Sequence, residues 1–232
     1  MSFSGVRVLA VAYRNLVGKP TGSVDNANGA GRGDLDQRDR RTRRKMQGCA
    51  TEALLRDLLE FVVGCPSSHW QLTWNRYGKP TLVTSDGPSA LEVSLSHSGL
   101  LALAAITDLG EIGVDLEYRA PGRSICEIAA YAFGSQEQRA VESGGLRAFY
   151  RIWTLREALA KACGIGFPML ADGRDYFPEA PNSGNWQGVI DGRRWLFSTG
   201  DLPGDYAVAV AIALRSPLHA DWVADLTPRL FD

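Results

Sequence analysis

Cysteine is scarce in this chain, and the four present (Cys49, Cys65, Cys126 and Cys163) show no C-x-x-C spacing. That excludes the usual zinc frameworks and a disulfide scaffold, and predicts reduced thiols in the core. An excess of one charge is also missing: 25 cations face 26 acids, for a formal net charge of −1, so no global field points to nucleic acid or a membrane surface. Nor does any apolar run approach the roughly 20 residues of a membrane span. The opening MSFSGVRVLAVAY has six apolar residues after Arg7 and no cleavage site, so it reads as a first strand of a cytoplasmic protein. Histidines number three, and His69 and His219 have no pattern around them.

What is present suits a folded enzyme-sized protein: 232 residues, 45% hydrophobic and 22% charged. Charge is uneven, because 38–45 (RDRRTRRK) holds six cations and one acid and could face an anion. The Gly/Asn-rich stretch 18–34 reads as a loop without the ending of a phosphate loop. From Leu35 to Val63 the pattern is helical, with Met46, Ala50, Ala53, Leu54, Leu58 and Phe61 at spacings of three and four, closed by Gly64 and Pro66. Extended segments follow over 69–83 and 90–108, the latter as two strands around a Ser-His-Ser-Gly turn.

The second half replays this order with a strand EIGVDLEY, helices over 124–133 and 146–164, and strands over 186–200 and 205–215. VRVLAVAY answers EIGVDLEY, ATEALLRDLL answers TLREALAKAC, LTWNRYGKPTL answers GVIDGRRWLF, and LALAAI answers AVAVAIAL. The expectation is α+β: two pseudo-twofold-related α/β halves, each a small, mainly antiparallel sheet packed on helices, 1–108 and 109–232. A groove between the halves is the expected ligand site. Most aromatics, including Trp70, Trp74, Trp186 and Trp195, are read as core or half-buried strand residues.

The chemistry concentrates at two places. Side chains alternate along a strand, so Asp115 and Glu117 project from one face, where they repel unless a cation or donors offset the repulsion. Oxygen-only ligands favour a hard ion, with Mg²⁺ the natural choice beside phosphate. On the helix RIWTLREALAKACG, Glu157 and Lys161 stand four apart and share a face. Small residues (Ala158, Ala160, Ala162, Gly164) surround them, as on a helix pressed against a neighbour. A third carboxylate beside an ammonium suits metal-assisted phosphoryl transfer.

Gly113-Val114-Asp115-Leu116-Glu117 followed by Trp153-Thr154-Leu155-Arg156-Glu157-Ala158-Leu159-Ala160-Lys161 resembles the paired motif of the surfactin-synthetase-type 4′-phosphopantetheinyl transferases. Tyr77-Gly78-Lys79-Pro80 and Leu95-Ser96-His97-Ser98 resemble its auxiliary segments, and Arg44, Gly48 and Leu54-Leu55-Arg56 its basic first helix. The resemblance implies transfer of the phosphopantetheine arm of coenzyme A to a serine of an apo acyl or peptidyl carrier protein, releasing adenosine 3′,5′-bisphosphate, as in a holo-[acyl-carrier-protein] synthase. It implies that Asp115, Glu117 and Glu157 hold Mg²⁺ (or Mn²⁺) and that Glu157 or a metal-held water is the base. It further implies that Lys161 meets the leaving phosphate, that Ser96 and His97 contact phosphate oxygens, and that Lys79 and Arg44 hold the adenosine end. A monomer is expected, with the carrier docking near 124–147. Arg156 departs from the family's lysine, keeping charge but not proton-donating ability. The alternatives are a metal-dependent phosphodiesterase or nucleotide hydrolase, and a non-catalytic module that binds coenzyme A or a carrier.

Overall fold

A computed structural model describes residues 9–16, 37–64, 69–166, 171–178, 184–216 and 229–230, with side chains in the first helix from Lys45 onward. Cys65, the 18–34 loop, His219 and the Arg44 side chain lie outside the described residues.

The first sheet is built from β1 (Leu9–Asn15), β5 (Glu92–Ser98), β6 (Leu101–Thr107) and the short β11 (Arg229–Leu230), in the order β11-β1-β6-β5. The second is built from β7 (Gly110–Tyr118), β8 (Gly184–Ile190), β9 (Arg193–Leu202) and β10 (Tyr206–Leu214), in the order β7-β10-β9-β8. All pairings are antiparallel except β1 with β11, where Ala12 faces Arg229. This is the expected α+β class of small antiparallel sheets with few helices. The segments expected to correspond pair alike, β1 antiparallel with β6 and β7 antiparallel with β10. The proposed equivalence of LTWNRYGKPTL and GVIDGRRWLF stops at the hairpin. β8 and β9 continue the second sheet, whereas β2 (Trp70–Trp74), β3 (Pro80–Thr84) and β4 (Gly87–Pro88) make a separate sheet of their own.

Helix α1 (Gln37–Val63) covers the first sheet through Leu54, Leu55, Leu58 and Leu59, which pack on Val93, Ala102, Ala104 and Ile106. Met46 and Phe61, expected on that stripe, flank it and are exposed. Helix α2 (Ile125–Ala132) is short, and α3 (Ser135–Cys163) runs on from it. Gly145, at φ 59° and ψ −143°, interrupts α3 just before the helix expected from Leu146, and few residues other than glycine accept that backbone. Between the sheets lies a core of Val11, Leu103, Ile112, Val114, Leu116, Val208, Val210 and Ile212.

The Ser-His-Ser segment is not a turn: Ser96, His97 and Ser98 lie within β5, and the hairpin is Gly99-Leu100, with Gly99 at φ 55°. Cys49, Cys126 and Cys163 are free but exposed rather than in the core. Among the tryptophans, Trp70 and Trp195 are buried, whereas Trp74 is 48% exposed. No helix among the described residues is long and apolar enough to cross a membrane.

Candidate active site

Alternation along β7 sends Ile112, Val114 and Leu116 into the core between the sheets, and Gly113, Asp115 and Glu117 to the opposite face. That face meets α3. Beneath the helix, β10 supplies only alanines: Ala211 lies opposite Gly113, Ala209 opposite Asp115 and Ala207 opposite Glu117. At Gly113 a Cβ would fall 1.9 Å from the Ala158 carbonyl oxygen and 2.4 Å from the Ala162 nitrogen. The glycine two residues before Asp115 therefore lets the helix backbone rest on the strand, and Ala158 and Ala162 are the chain neighbours of Glu157 and Lys161. Absence of side chain, rather than any contact, brings the acids of the strand to the charges of the helix.

The Lys161 ammonium donates to Asp115 Oδ1 at 2.7 Å, to Ser96 Oγ at 2.9 Å and to the Val114 carbonyl at 3.0 Å. Asp115 is 4% exposed, and its other oxygen, Oδ2, is buried with no hydrogen-bond partner. Asp115, Glu117, Glu157 and Lys161 line a single cavity of about 440 Å³, together with Trp74 and His97. Gly48 and Thr51 of α1 also line it, so α1 contributes beside β5, β7 and α3. The Glu157 carboxyl is pushed up to about 7, first by burial and then by Asp115 and Glu117, with Lys161 and Arg123 opposing. Burial, and then Asp115, likewise raise Glu117, while its hydrogen bond from Ser98 pulls the other way. Three carboxyls crowded at this cost, with a buried oxygen left over, are a donor set suited to a hard divalent cation. No ready-made group of three or more metal-ligating side chains occurs among the described residues; the Lys161 ammonium is the cation that now sits on Asp115.

The remaining expected site residues are placed differently. His97 is exposed on β5 at the cavity wall. Ser96 is 7% exposed and turned inward: its hydroxyl donates to Asp115 and accepts from Lys161 and the Leu116 N–H, so it is engaged with the Asp115–Lys161 pair. Gly78 and Pro80 line the cavity, but Lys79 sends its ammonium to the Ala162 carbonyl at 2.6 Å, in the last turn of α3. Asn75 in the same turn donates to the Gly164 carbonyl at 3.0 Å. The Tyr-Gly-Lys-Pro turn thus caps the helix that carries Glu157 and Lys161. Burial lowers the Lys79 pKa, with Glu92 opposing.

Arg156 points away from the cavity. It is fully buried with Glu137, which accepts its Nε at 3.0 Å and its Nη2 at 2.5 Å. Glu137 also accepts the backbone N–H groups of Tyr176 and Phe177, at 3.1 and 2.8 Å. A planar fork makes this paired contact where a lysine could not, which accounts for arginine beside Glu157. Sequence reasoning also passed over Arg123. Its guanidinium stacks 5.0 Å over Trp153 and lowers the pKa of both Glu117 and Glu157. Only its position, soon after the acidic strand, hinted at this.

Residues 111–211 match the model of the 4′-phosphopantetheinyl transferase superfamily. A Synechocystis protein named as a 4′-phosphopantetheinyl transferase is 30% identical over 164 residues, 65% of this chain and 66% of that protein. The 4′-phosphopantetheinyl transferase HetI of Nostoc is 32% identical over 127 residues, 53% of this chain and 54% of that protein. L-aminoadipate-semialdehyde dehydrogenase-phosphopantetheinyl transferase of Rattus norvegicus is 29% identical over 189 residues, 72% of this chain and 60% of that protein. The chain spans just under two thirds of the first of these relatives and about half of the second. The stretch that carries the acidic strand and its helix, 111–211, is therefore the part that matches the 4′-phosphopantetheinyl transferase superfamily.

Proposed function

We propose that this chain is a 4′-phosphopantetheinyl transferase of the surfactin-synthetase type. It moves the phosphopantetheine arm of coenzyme A to a serine hydroxyl of an apo carrier protein and releases adenosine 3′,5′-bisphosphate. The observation that carries the proposal is the pressing of β7 onto α3, which gathers three carboxyls and one ammonium on one cavity wall and leaves Asp115 Oδ2 buried without a partner.

Asp115, Glu117 and Glu157 would hold Mg²⁺ or Mn²⁺. When bound, the ion supplies charge neutralisation for the pyrophosphate of coenzyme A. Glu157 would also be the group that accepts the serine proton. The freed serine oxygen attacks the phosphorus bearing the pantetheine arm, and the bond from that phosphorus to the bridging oxygen of adenosine 5′-phosphate breaks. Lys161 stands where it can hold the charge that develops on this leaving group. His97 offers a phosphate contact on the cavity wall. Arg44 is assigned to the 3′-phosphate by resemblance alone, and Lys79 must leave Ala162 to serve there. The carrier docks along α2 and the start of α3, where Tyr131 is 81% exposed, and the protein acts as a monomer.

Incubation with coenzyme A, Mg²⁺ and an apo carrier protein, read by mass spectrometry of the carrier, tests the proposal. A gain of one phosphopantetheine is expected. Hydrolysed coenzyme A with an unchanged carrier would overturn transfer in favour of a phosphodiesterase, and binding without any product would leave only a binding module.

A further inference from the structure

Ser94, Ser96 and Ser98 project from one side of β5 toward β7, and each hydroxyl meets the β7 backbone. Ser94 Oγ accepts the Val114 N–H at 3.0 Å, Ser96 Oγ that of Leu116 at 3.3 Å, and Ser98 Oγ that of Tyr118 at 3.0 Å. The two sheets are thus joined at this seam by side-chain hydroxyls. A hydroxyl has one proton to give and two lone pairs to fill. Ser96 gives its proton to Asp115 Oδ1 at 3.0 Å, and Ser98 gives its own to Glu117 Oε2 at 3.1 Å. Ser94 stands at the same register beside Gly113, which has no side chain to receive one.

We infer that Ser98 is a positioning residue that fixes the Glu117 carboxylate for cation binding, as the outermost of three hydroxyl rungs between the sheets. The inference rests on the divalent-cation reading of the site. The Ser96 and Ser98 rungs each tie a backbone N–H to the carboxylate one residue before it, so the side-chain direction of the acid follows the register of the two strands. One Glu117 oxygen is occupied by Ser98, and its rotamer is thereby limited. Ser94 makes the same backbone bond in a buried setting without an acid to aim, so it separates the structural part of a rung from the orienting part.

The experiment compares Ser98→Ala, Ser98→Thr and Ser94→Ala in the full chain, by calorimetric titration with Mn²⁺ and by thermal unfolding. Losing a partner that orients a metal ligand weakens affinity by about tenfold or more, so Ser98→Ala should weaken Mn²⁺ binding by about that factor, with Ser98→Thr restoring it. Ser94→Ala should lower the melting temperature more than Ser98→Ala does, because the N–H it frees is buried, yet keep the wild-type Mn²⁺ affinity. Wild-type affinity in Ser98→Ala, or equal losses in Ser98→Ala and Ser94→Ala, would overturn the inference. A wild-type protein that binds no Mn²⁺ would instead overturn the cation reading. A crystal structure of Ser98→Ala would then decide the rung: Glu117 turned from its present rotamer upholds it, and Glu117 unmoved sinks it.

Discussion

Each of the two larger sheets is covered by a helix, α1 on the first and α3 on the second, but the two are packed with different side chains. Leucines separate α1 from the first sheet (Leu54, Leu55, Leu58, Leu59), whereas α3 meets the second through Ala158, Ala160 and Ala162 on Gly113, Ala209 and Ala211. Branched side chains fill volume and hold a helix at ordinary distance. Alanine and glycine let backbones approach, at the cost of apolar area, and a polar residue on the edge of such a helix can reach the strand. The first arrangement stabilises the protein; the second gathers the Asp115–Lys161 pair and Glu157 at the cavity.

Breaking the gathered charges should have the largest effect. Asp115→Ala is expected to slow carrier modification by about 10²–10³-fold, the scale of removing one preorganised electrostatic contact, and the check is the initial rate of phosphopantetheine incorporation at saturating coenzyme A. A matched pair of packing changes then sharpens the contrast. Gly113→Ala puts a Cβ against the Ala158 carbonyl and should cost about 1–3 kcal/mol by overpacking, with most transfer lost even in the folded fraction. Leu55→Ala should cost about 2–5 kcal/mol through its cavity, while the folded fraction keeps its rate. Denaturant melts run beside the assay distinguish the two.

A smaller effect is set by pH. A carboxyl whose pKa is raised on folding binds more protons in the folded state, so the Glu157 contribution is fully present below its ordinary value of 4.5 and is lost as pH rises through about 7. Metal-free protein should accordingly lose stability between pH 5 and 7 at Glu157, and Glu157→Gln should flatten that slope in thermal melts. Divalent-cation affinity should move the opposite way and rise through neutral pH as the proton leaves. The smallest expected effect is that of Lys79→Ala, which removes one hydrogen bond worth about 1 kcal/mol from the end of α3. Its melting temperature should fall slightly with coenzyme A affinity nearly unchanged; a loss of affinity beyond tenfold would make Lys79 a phosphate ligand instead.

Much of this was legible in the chain because it is periodic or local. Alternation placed Asp115 and Glu117 on one face, helical spacing put Glu157 and Lys161 on another, and the C-terminal ends of α1 and α3 followed from Gly64 and Gly164. What escaped reading depends on partners far apart in sequence. Arg156 takes Glu137, Lys79 takes the Ala162 carbonyl, and Ser98 takes Glu117; each residue type has many possible partners, and spacing does not choose among them. Trp74 was read by type as a core or half-buried strand residue, yet it is 48% exposed, because its strand belongs to a small separate sheet with an open face at the cavity.

The amino-acid order alone determined which groups could do chemistry and which helix and strand would present them, because those follow from side-chain periodicity within one element. Tertiary structure decided how close the two elements come and which hydroxyls and cations occupy the acids, because approach depends on the volume absent at Gly113 and on hydrogen-bond partners supplied by a different sheet.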